Sequence, residues 1–506
     1  MNKSVPPFKL SWPFLLLIIL TVGTALRIWA IGYKTPWGDE LHSLSYARTS
    51  VAHLIDIGRT TDIHPPLYFL SLKGWVALFG ESRDAARLFS ATLGVAAIGL
   101  LFVIVKRLYG IPAALIAAAF LATFPTAIQF DRDIRMYPLL RLLFLLSFLC
   151  FLGLRSAPRA DRAGLMSRVL PLIGFAVSLA LAFYTHYTAA LFYMLFTLVG
   201  LYYLLRGDRM TLFWVYLGLF IATILVLPQL NHLFSSSLGD PDKSWMQATT
   251  LRIFYGTTLG AFPYPMWVKP VAFLAMVAGF VLLWMRDRDD AVVFFLFTAG
   301  GMILAAVIGI YEPIYLVRTI QVFTVFTAIF VAMLLLRLPR PIAVLIGAVL
   351  LVANALTTVQ NSFVPAREFN FADRTGTFVA LMDPAQDQVF AKEYLMPQMV
   401  VARSALVGLA TPISHDSQDA DIAAITKASD QCLTADSPCR SLILIVERLS
   451  RFDPDAIARW NALADTLIAK HPGHVEQDVA GYRVVVVSQD TEFLNTVTDV
   501  LAGDGR

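Results

Sequence analysis

Asp39 and Glu40 stand side by side in Trp37-Gly38-Asp39-Glu40-Leu41-His42-Ser43-Leu44, shortly after the first long apolar run of the chain. Charge beside a lipid-facing segment is costly, so ionisable residues there tend to face a water-filled cavity and to serve function. A carboxylate within hydrogen-bond reach of a hydroxyl can take its proton as a general base. The competing reading is that the pair only solvates a helix end. His64 follows in Asp62-Ile63-His64-Pro65-Pro66-Leu67-Tyr68-Phe69-Leu70. The two prolines fix the loop and remove backbone donors, so the ring serves either a ligand or a hydrogen bond that stiffens the turn. Arginines come in Gln129-Phe130-Asp131-Arg132-Asp133-Ile134-Arg135-Met136-Tyr137 and in Tyr311-Glu312-Pro313-Ile314-Tyr315-Leu316-Val317-Arg318-Thr319. A guanidinium can hold anionic oxygens two at a time, or it can snorkel to the headgroups from a helix end.

These residues belong to a chain of 506 positions that is 57% hydrophobic and 15% charged, with mean hydropathy +0.66. An ordinary soluble domain carries about 25% charge, so the composition is that of a polytopic α-helical membrane protein. Apolar runs of roughly 17 to 25 residues mark candidate spans. They fall near 11–32, 86–105, 111–127, 137–154, 169–184, 188–205, 211–230, 270–285, 291–310, 319–336 and 341–358, about eleven transmembrane helices. The first run continues into Asp39 without a small-residue cleavage site and reads as a retained helix, not a signal peptide. The net charge of +4 comes without a basic stripe interleaved with aromatics, which excludes nucleic acid as a partner.

Lys and Arg in short loops set orientation. Alternate loops hold Lys3 and Lys9; Lys106 and Arg107; Arg155, Arg159, Arg162 and Arg168; Arg206 and Arg209; Arg286 and Arg288; Arg337 and Arg340. With these on the cytoplasmic side of a bacterial inner membrane, the amino terminus is cytoplasmic and the carboxyl terminus periplasmic. The opposite face then carries Asp39, His64, Arg135 and Arg318.

Residues 1–358 are expected to form the transmembrane domain. Within it, 33–85 is a first periplasmic loop in which Leu44, Ala47, Val51, Leu54 and Ile55 recur at helical spacing, as in a helix lying on the membrane surface. Residues 231–269, with Ser244-Trp245-Met246 and Phe262-Pro263-Tyr264-Pro265, read as a periplasmic flap. From 359 to 506 the apolar runs stop. Strand-like stretches at 388–391, 441–446 and 482–487 alternate with a helical one at 454–470, which predicts a soluble α/β domain without a Gly-rich nucleotide loop. Its Cys432 and Cys439 are spaced so that a disulfide can close outside the cytoplasm. Neither has a nearby His to make a zinc site, and Cys150, inside a span, reads as packing.

The order of motifs is more telling than any one of them. Asp39-Glu40, then His64-Pro65-Pro66-Leu67-Tyr68, then Phe79-Gly80-Glu81-Ser82 and Arg87-Leu88-Phe89-Ser90, resembles the polyprenyl-phosphate-sugar-dependent glycosyltransferases of the GT-C superfamily. Within it, the likeness is to bacterial relatives of protein O-mannosyltransferases and of lipid A aminoarabinose transferase. Asp133-Ile134-Arg135-Met136-Tyr137 is similar to an outer turn in which those proteins more often carry Glu at the acidic position. Arg318-Thr319 is similar to a late outer segment that usually reads Arg-Tyr.

The resemblance implies an inverting transfer of a hexosyl or pentosyl unit from a polyprenyl-phosphate-linked sugar to a lipid, glycan or protein acceptor. Asp39 matches the position of the base, with Glu40 orienting or supporting it. Arg135 and Arg318 would bind the donor phosphate, and Lys243, beside Trp245, is a further candidate. His64, Asp133, Tyr137, His186 and Trp245 would line the substrate pocket. His186, in Tyr184-Thr185-His186-Tyr187, has an alternative as part of an interfacial polar belt. No cofactor is implied. A divalent cation on Asp39 and His42 is conceivable, but no acidic-x-acidic or His-x-x-x-His grouping backs it. A transporter or flippase would call for inverted repeats and broken helices at matching positions, and no convincing pair stands out. A periplasmic glycan polymerase or ligase using a diphosphate-linked donor shares the side and the substrates.

Overall fold

The computed structural model describes residues 11–33, 36, 38–60, 64–156, 162–233, 247–362, 376–383, 386–392, 410–413, 418–432, 439–447, 454–479 and 482–504. They form two compact units, one of Met1–Tyr33 with Thr49–Val364 and the other of Lys34–Arg48 with Pro365–Arg506.

Up to residue 362 the elements among the described residues are helices. They begin with α1 (Trp12–Ile28), α2 (Gly38–Arg48), α3 (Val51–Thr60), α4 (Leu67–Phe79), α5 (Arg83–Tyr109) and α6 (Ile111–Thr123). Then come α7 (Pro125–Asp131), α8 (Tyr137–Ser156), α9 (Arg162–Thr185), α10 (Ala190–Leu205), α11 (Arg209–His232) and α12 (Leu251–Ala261). The last are α13 (Lys269–Arg286), α14 (Arg288–Phe295), α15 (Gly301–Ile308), α16 (Val317–Ile320), α17 (Thr327–Leu335) and α18 (Arg340–Ser362). Among the described residues nine helical stretches are long and apolar enough to cross a membrane, and a bent pair makes a tenth; α1 and α4 are shorter apolar helices. The chain is a polytopic α-helical membrane protein.

Small residues bring these helices together, since between lipid-immersed helices it is close packing, not the hydrophobic effect, that gains energy. Ala113, Ala114, Ala117 and Ala118 of α6 are all buried, as is Ala97 of α5. Gly279 of α13 lies against the Phe330 backbone of α17, where a Cβ would have no room.

The third expected span, 111–127, is not one helix. It breaks at Phe124 and turns by 61° between α6 and α7. Phe124 has φ −58° and ψ 114°, the extended conformation that a following proline imposes on its neighbour, and Pro125 then opens α7 at a position where its missing N–H is harmless. The first loop also differs from the single surface helix expected for it. Its pattern divides at Ser50 into α2 and α3, with Leu44, Ala47 and Leu54 buried and Val51 exposed. α2 belongs to the unit that holds the tail. The loop contains α4 as well, 13 residues long, too short to register as a span. Ser82 caps α5 by accepting from the Ala85 amide, and Gly80, at φ +94°, ends α4, so the Phe79-Gly80-Glu81-Ser82 motif is local architecture.

The second unit contains a five-stranded sheet of β1 (Asp387–Lys392), β2 (Ala410–Ile413), β3 (Ser441–Glu447), β4 (His474–Val479) and β5 (Tyr482–Ser488), in the order β2-β1-β3-β5-β4. β1 runs parallel to β2 and β3, and β5 antiparallel to β3 and β4. Alternation sends successive side chains to opposite faces. Ile443, Ile445, Val484 and Val486 meet Phe378, Met382 and the helix Thr491–Asp504, whereas Leu442, Leu444, Val485 and Val487 meet Trp460 and Leu467 of the helix Pro454–Lys470. Strands β2 and β4 went unmarked in the sequence because β2 is four residues long and β4 is polar, His474-Val475-Glu476-Gln477-Asp478-Val479. Cys432 and Cys439 are joined by a disulfide, with 5.0 Å between their Cα atoms.

Candidate functional site

The turn between α7 and α8 carries the site, and a buried carboxylate holds it. Asp131, the last residue of α7, is wholly enclosed. It accepts from Arg27 Nε of α1 at 2.8 Å and from Arg141 Nη2 of α8. Arg27 also donates to the carbonyls of Gly23 at 2.9 Å and Ala122 at 3.0 Å, and Arg141 to Gln321 Oε1 at 3.1 Å. Such charges tolerate burial only because each finds partners. Gly94 of α5 makes room for them, since a Cβ there would stand 2.3 Å from Asp131 Oδ2. In the sequence Asp131 stood out only as part of the motif around Arg135, and Arg27, Arg141 and Gln321 did not stand out at all. The available signal was an arginine inside each of two apolar runs, Arg27 within 11–32 and Arg141 within 137–154.

Arg132 ties the same turn to two helix ends. It donates to the Trp29 and Ala30 carbonyls at 2.7 and 2.9 Å and to Ser362 Oγ at the end of α18. Ala30 sits at φ 51°, left-handed backbone unusual for a residue with a side chain, and Arg87 donates to the next carbonyl, Ile31, at 2.7 Å. Arg132 and Arg87 thus satisfy carbonyls that the end of α1 would leave open.

Beyond Arg132 the chain doubles back, the Arg135 amide donating to the Asp133 carbonyl at 2.8 Å. This delivers Arg135, only 2% exposed, to His64, with Nη2 and Nε2 3.2 Å apart. His64 stands just before Pro65, Pro66 and the start of α4. Its ring meets that of His186 edge-on at 5.6 Å between centroids, and Tyr137 approaches His186 at 6.0 Å. Burial, then the electrostatics of the neighbouring His64, Arg135 and Arg318 side chains, hold the basicity of His186 well below the usual imidazole range. Arg135, His64, His186 and Tyr137 are therefore one cluster, and the charge of Arg318 acts on it as well, each of the five at a helix end or in a link between helices. An anionic group would meet two permanent cations and ring nitrogens there.

Asp133 is part-exposed in the turn beside Arg132. Asp39 and Glu40 occupy the first turn of α2, Asp39 part-exposed and Glu40 buried, in the second unit. Lys243 and Trp245 lie outside the described residues. Among the described residues no three His, Cys, Asp or Glu side chains are grouped to hold a metal ion.

A second polar network joins the loops between other helices. Asp290 accepts from Tyr109 Oη at 2.5 Å and from Arg155 Nη1 at 2.5 Å. Asp289 accepts from Tyr202 Oη at 2.6 Å and Arg206 Nε at 3.1 Å. These residues come from four of the basic loops, which therefore gather at one end of the bundle.

Residues 63–232 match the dolichyl-phosphate-mannose-protein mannosyltransferase family. The matched stretch contains His64, Arg135, Tyr137 and His186 and leaves out Asp39 and Arg318. No curated protein sequence matches the chain. Among solved structures, ArnT from Cupriavidus metallidurans bound to undecaprenyl phosphate is similar with a TM-score of 0.59 at 14% identity, over 95% of this chain and 98% of that one. The oligosaccharyltransferase AglB from Archaeoglobus fulgidus, in complex with an inhibitory peptide and a dolichol-phosphate, gives 0.57 at 11% identity, over 94% and 74%. The arabinofuranosyltransferase AftD from Mycobacteria gives 0.57 at 16%, over 95% and 40%. At such identities the likeness is one of fold.

Proposed function

We propose that this chain is a membrane glycosyltransferase of the GT-C type, a reading supported by the family match over residues 63–232 and by the shared fold, and that it moves a hexosyl or pentosyl unit from a polyprenyl-phosphate-linked sugar to a hydroxyl of a lipid, glycan or protein acceptor. The reading is carried by the cluster of Arg135, His64 and His186, on which the charge of Arg318 also acts. A polyprenyl-phosphate donor needs no nucleotide site. It needs fixed positive charge where the leaving phosphate forms, and a guanidinium in a water-poor setting is well suited to that.

In this mechanism Asp39 removes the proton from the acceptor hydroxyl as its oxygen bonds to the anomeric carbon. The bond from that carbon to the phosphate oxygen breaks on the opposite face, so configuration inverts. The polyprenyl phosphate departs with the electron pair, and Arg135 and Arg318 balance its charge. Glu40 supports Asp39, Tyr137 and Asp133 shape the sugar pocket, and Lys243 and Trp245 remain candidates for the donor phosphate and the pocket from their sequence context alone. The assignment of Asp39 rests on its sequence context alone. The cluster lies on the periplasmic face of a bacterial inner membrane, which the basic loops of the other end support, as does the disulfide of the tail.

Complementation of a deletion strain tests the reading. Mass spectrometry of the envelope glycans identifies the sugar that is missing without the gene and restored by the wild-type chain. Asp39→Asn is expected to restore about a hundredth or less of it, in line with loss of a general base. Full restoration by that variant rejects Asp39 as the base.

A further inference from the structure

His186 occupies the link between α9 and α10 with extended backbone, φ −161° and ψ 133°. Its ring caps the tight turn Tyr187–Ala189, Nδ1 accepting from the Thr188 amide at 3.1 Å. An amide N–H can only donate, so Nδ1 holds a lone pair and the ring proton resides on Nε2. Thr188 Oγ1, 2.9 Å from the same Nδ1, and the Ala189 amide, which donates to the His186 carbonyl at 2.9 Å, lock this arrangement. The Nε2 edge, away from Thr188, has no hydrogen-bond partner among the described residues.

We infer that His186 serves the donor site as a neutral hydrogen-bond donor, offering its Nε2–H to a non-bridging oxygen of the sugar-phosphate diester. This rests on the reading of the cluster as the site of the donor phosphate. The ring meets those of His64 and Tyr137, and the charges of Arg135 and Arg318 act on it. A third permanent cation among them would be repelled by the two guanidiniums, and burial and those charges keep the imidazole unprotonated. A neutral donor adds a directed bond to the anion without adding charge. Binding through His186 is therefore insensitive to pH, whereas a protonated imidazole would release the anion as pH rises through its pKa.

The probe is a short-chain polyprenyl-phosphate hexose, a diester that stays ionised throughout, titrated onto the full-length protein in detergent. In His186→Asn the amide oxygen can take the place of Nδ1 and keep the Thr188 cap, but nothing reaches the position of Nε2. Its affinity is expected to fall about tenfold, the loss of one hydrogen bond to a charged group. The ratio to wild type should be the same at about pH 6 and about pH 8, and the midpoint of thermal unfolding unchanged. His186→Gln, whose amide nitrogen reaches the place of Nε2, should recover most of the affinity. Wild-type affinity in His186→Asn overturns the inference, and so does a ratio that shrinks as pH rises. No binding by the wild-type protein overturns instead the donor reading beneath it.

Discussion

Arg135 Nη2 stands 3.2 Å from His64 Nε2, and because a guanidinium has no acceptor, His64 must accept with that nitrogen and carry its proton on Nδ1. The two histidines of the site thus hold opposite tautomers, His64 receiving from Arg135 and His186 receiving from Thr188. Pro65 and Pro66, both buried, fix the backbone behind His64. The guanidinium is oriented before any ligand arrives, so the site has little reorganisation to undergo when a leaving phosphate forms.

Arg135→Ala is expected to lower kcat/KM for the lipid-linked sugar by about a hundredfold to a thousandfold, the usual effect of deleting one preorganised donor at a developing anion. Arg135→Lys keeps the charge but not the fork and should recover only part of it. His64→Ala removes one acceptor that orients Arg135 and should cost about tenfold. Initial rates over a range of donor concentration check all three. An Arg135→Ala enzyme within about threefold of wild type sinks the phosphate role.

The Asp131 network predicts a loss of stability, not of chemistry alone. Asp131→Ala would leave Arg27 and Arg141, both almost fully buried, facing each other without a carboxylate. Breaking a buried ion pair from one side typically costs about 3 to 5 kcal/mol. Gly94→Ala pushes a methyl group onto the same carboxylate and should weaken the protein by a related route. Thermal unfolding in detergent reads both. Wild-type midpoints for the two variants would mean that the network is dispensable.

Much of this was legible in the sequence, for identifiable reasons. Long apolar runs can do little except cross a membrane, and Leu442 to Val446 and Val484 to Val487, apolar at every position, announced strands covered on both faces. The members of the site could be named because His64, Arg135, His186 and Arg318 are charged or polar residues at the ends of apolar runs. Their mutual partners could not. Asp131 adjoins Arg132 in sequence but pairs with Arg27, 104 residues away, since helix rotation and not adjacency decides which side chains meet in a bundle. The break at Phe124 was written in Pro125, yet hydropathy averages over a proline and passes it by. Histidine tautomers are a matter of what stands opposite each nitrogen, and only the folded chain decides that.

The disulfide gives a third prediction. Cys432 ends the helix Gln418–Cys432 and Cys439 precedes β3, so the bond fixes one helix of the tail to its central strand. Closing so short a loop is worth about 2.5 kcal/mol by chain entropy. In protein denatured without reductant, alkylation should modify Cys150 and spare Cys432 and Cys439. The pair Cys432→Ser and Cys439→Ser should lower the unfolding midpoint. Alkylation of all three cysteines without reductant would refute the bond in the cell and, with it, one support for a periplasmic tail.

The last prediction concerns sidedness, because the chemistry proposed for Arg135 needs its end of the bundle to face the periplasm. Tyr109, Arg155, Arg206 and Asp289 to Asp290 converge at the other end. The span Arg288–Ile308 runs from that end to the link holding Tyr311, which is 88% exposed. Cysteines placed at Arg206, itself well exposed in its side chain, and at Tyr311 therefore report opposite faces of the membrane. In a Cys150→Ser background, a membrane-impermeant maleimide applied to spheroplasts should label Tyr311→Cys at once and Arg206→Cys only after lysis. The loops around Arg206 are rich in Lys and Arg, which are retained on the cytoplasmic side, so the expected order follows from charge as well as from connectivity. Labelling of Arg206→Cys in intact spheroplasts, with Tyr311→Cys protected, would turn the protein over. It would also place Arg135, Arg318 and both histidines on the cytoplasmic face, where a periplasmic transfer could not occur.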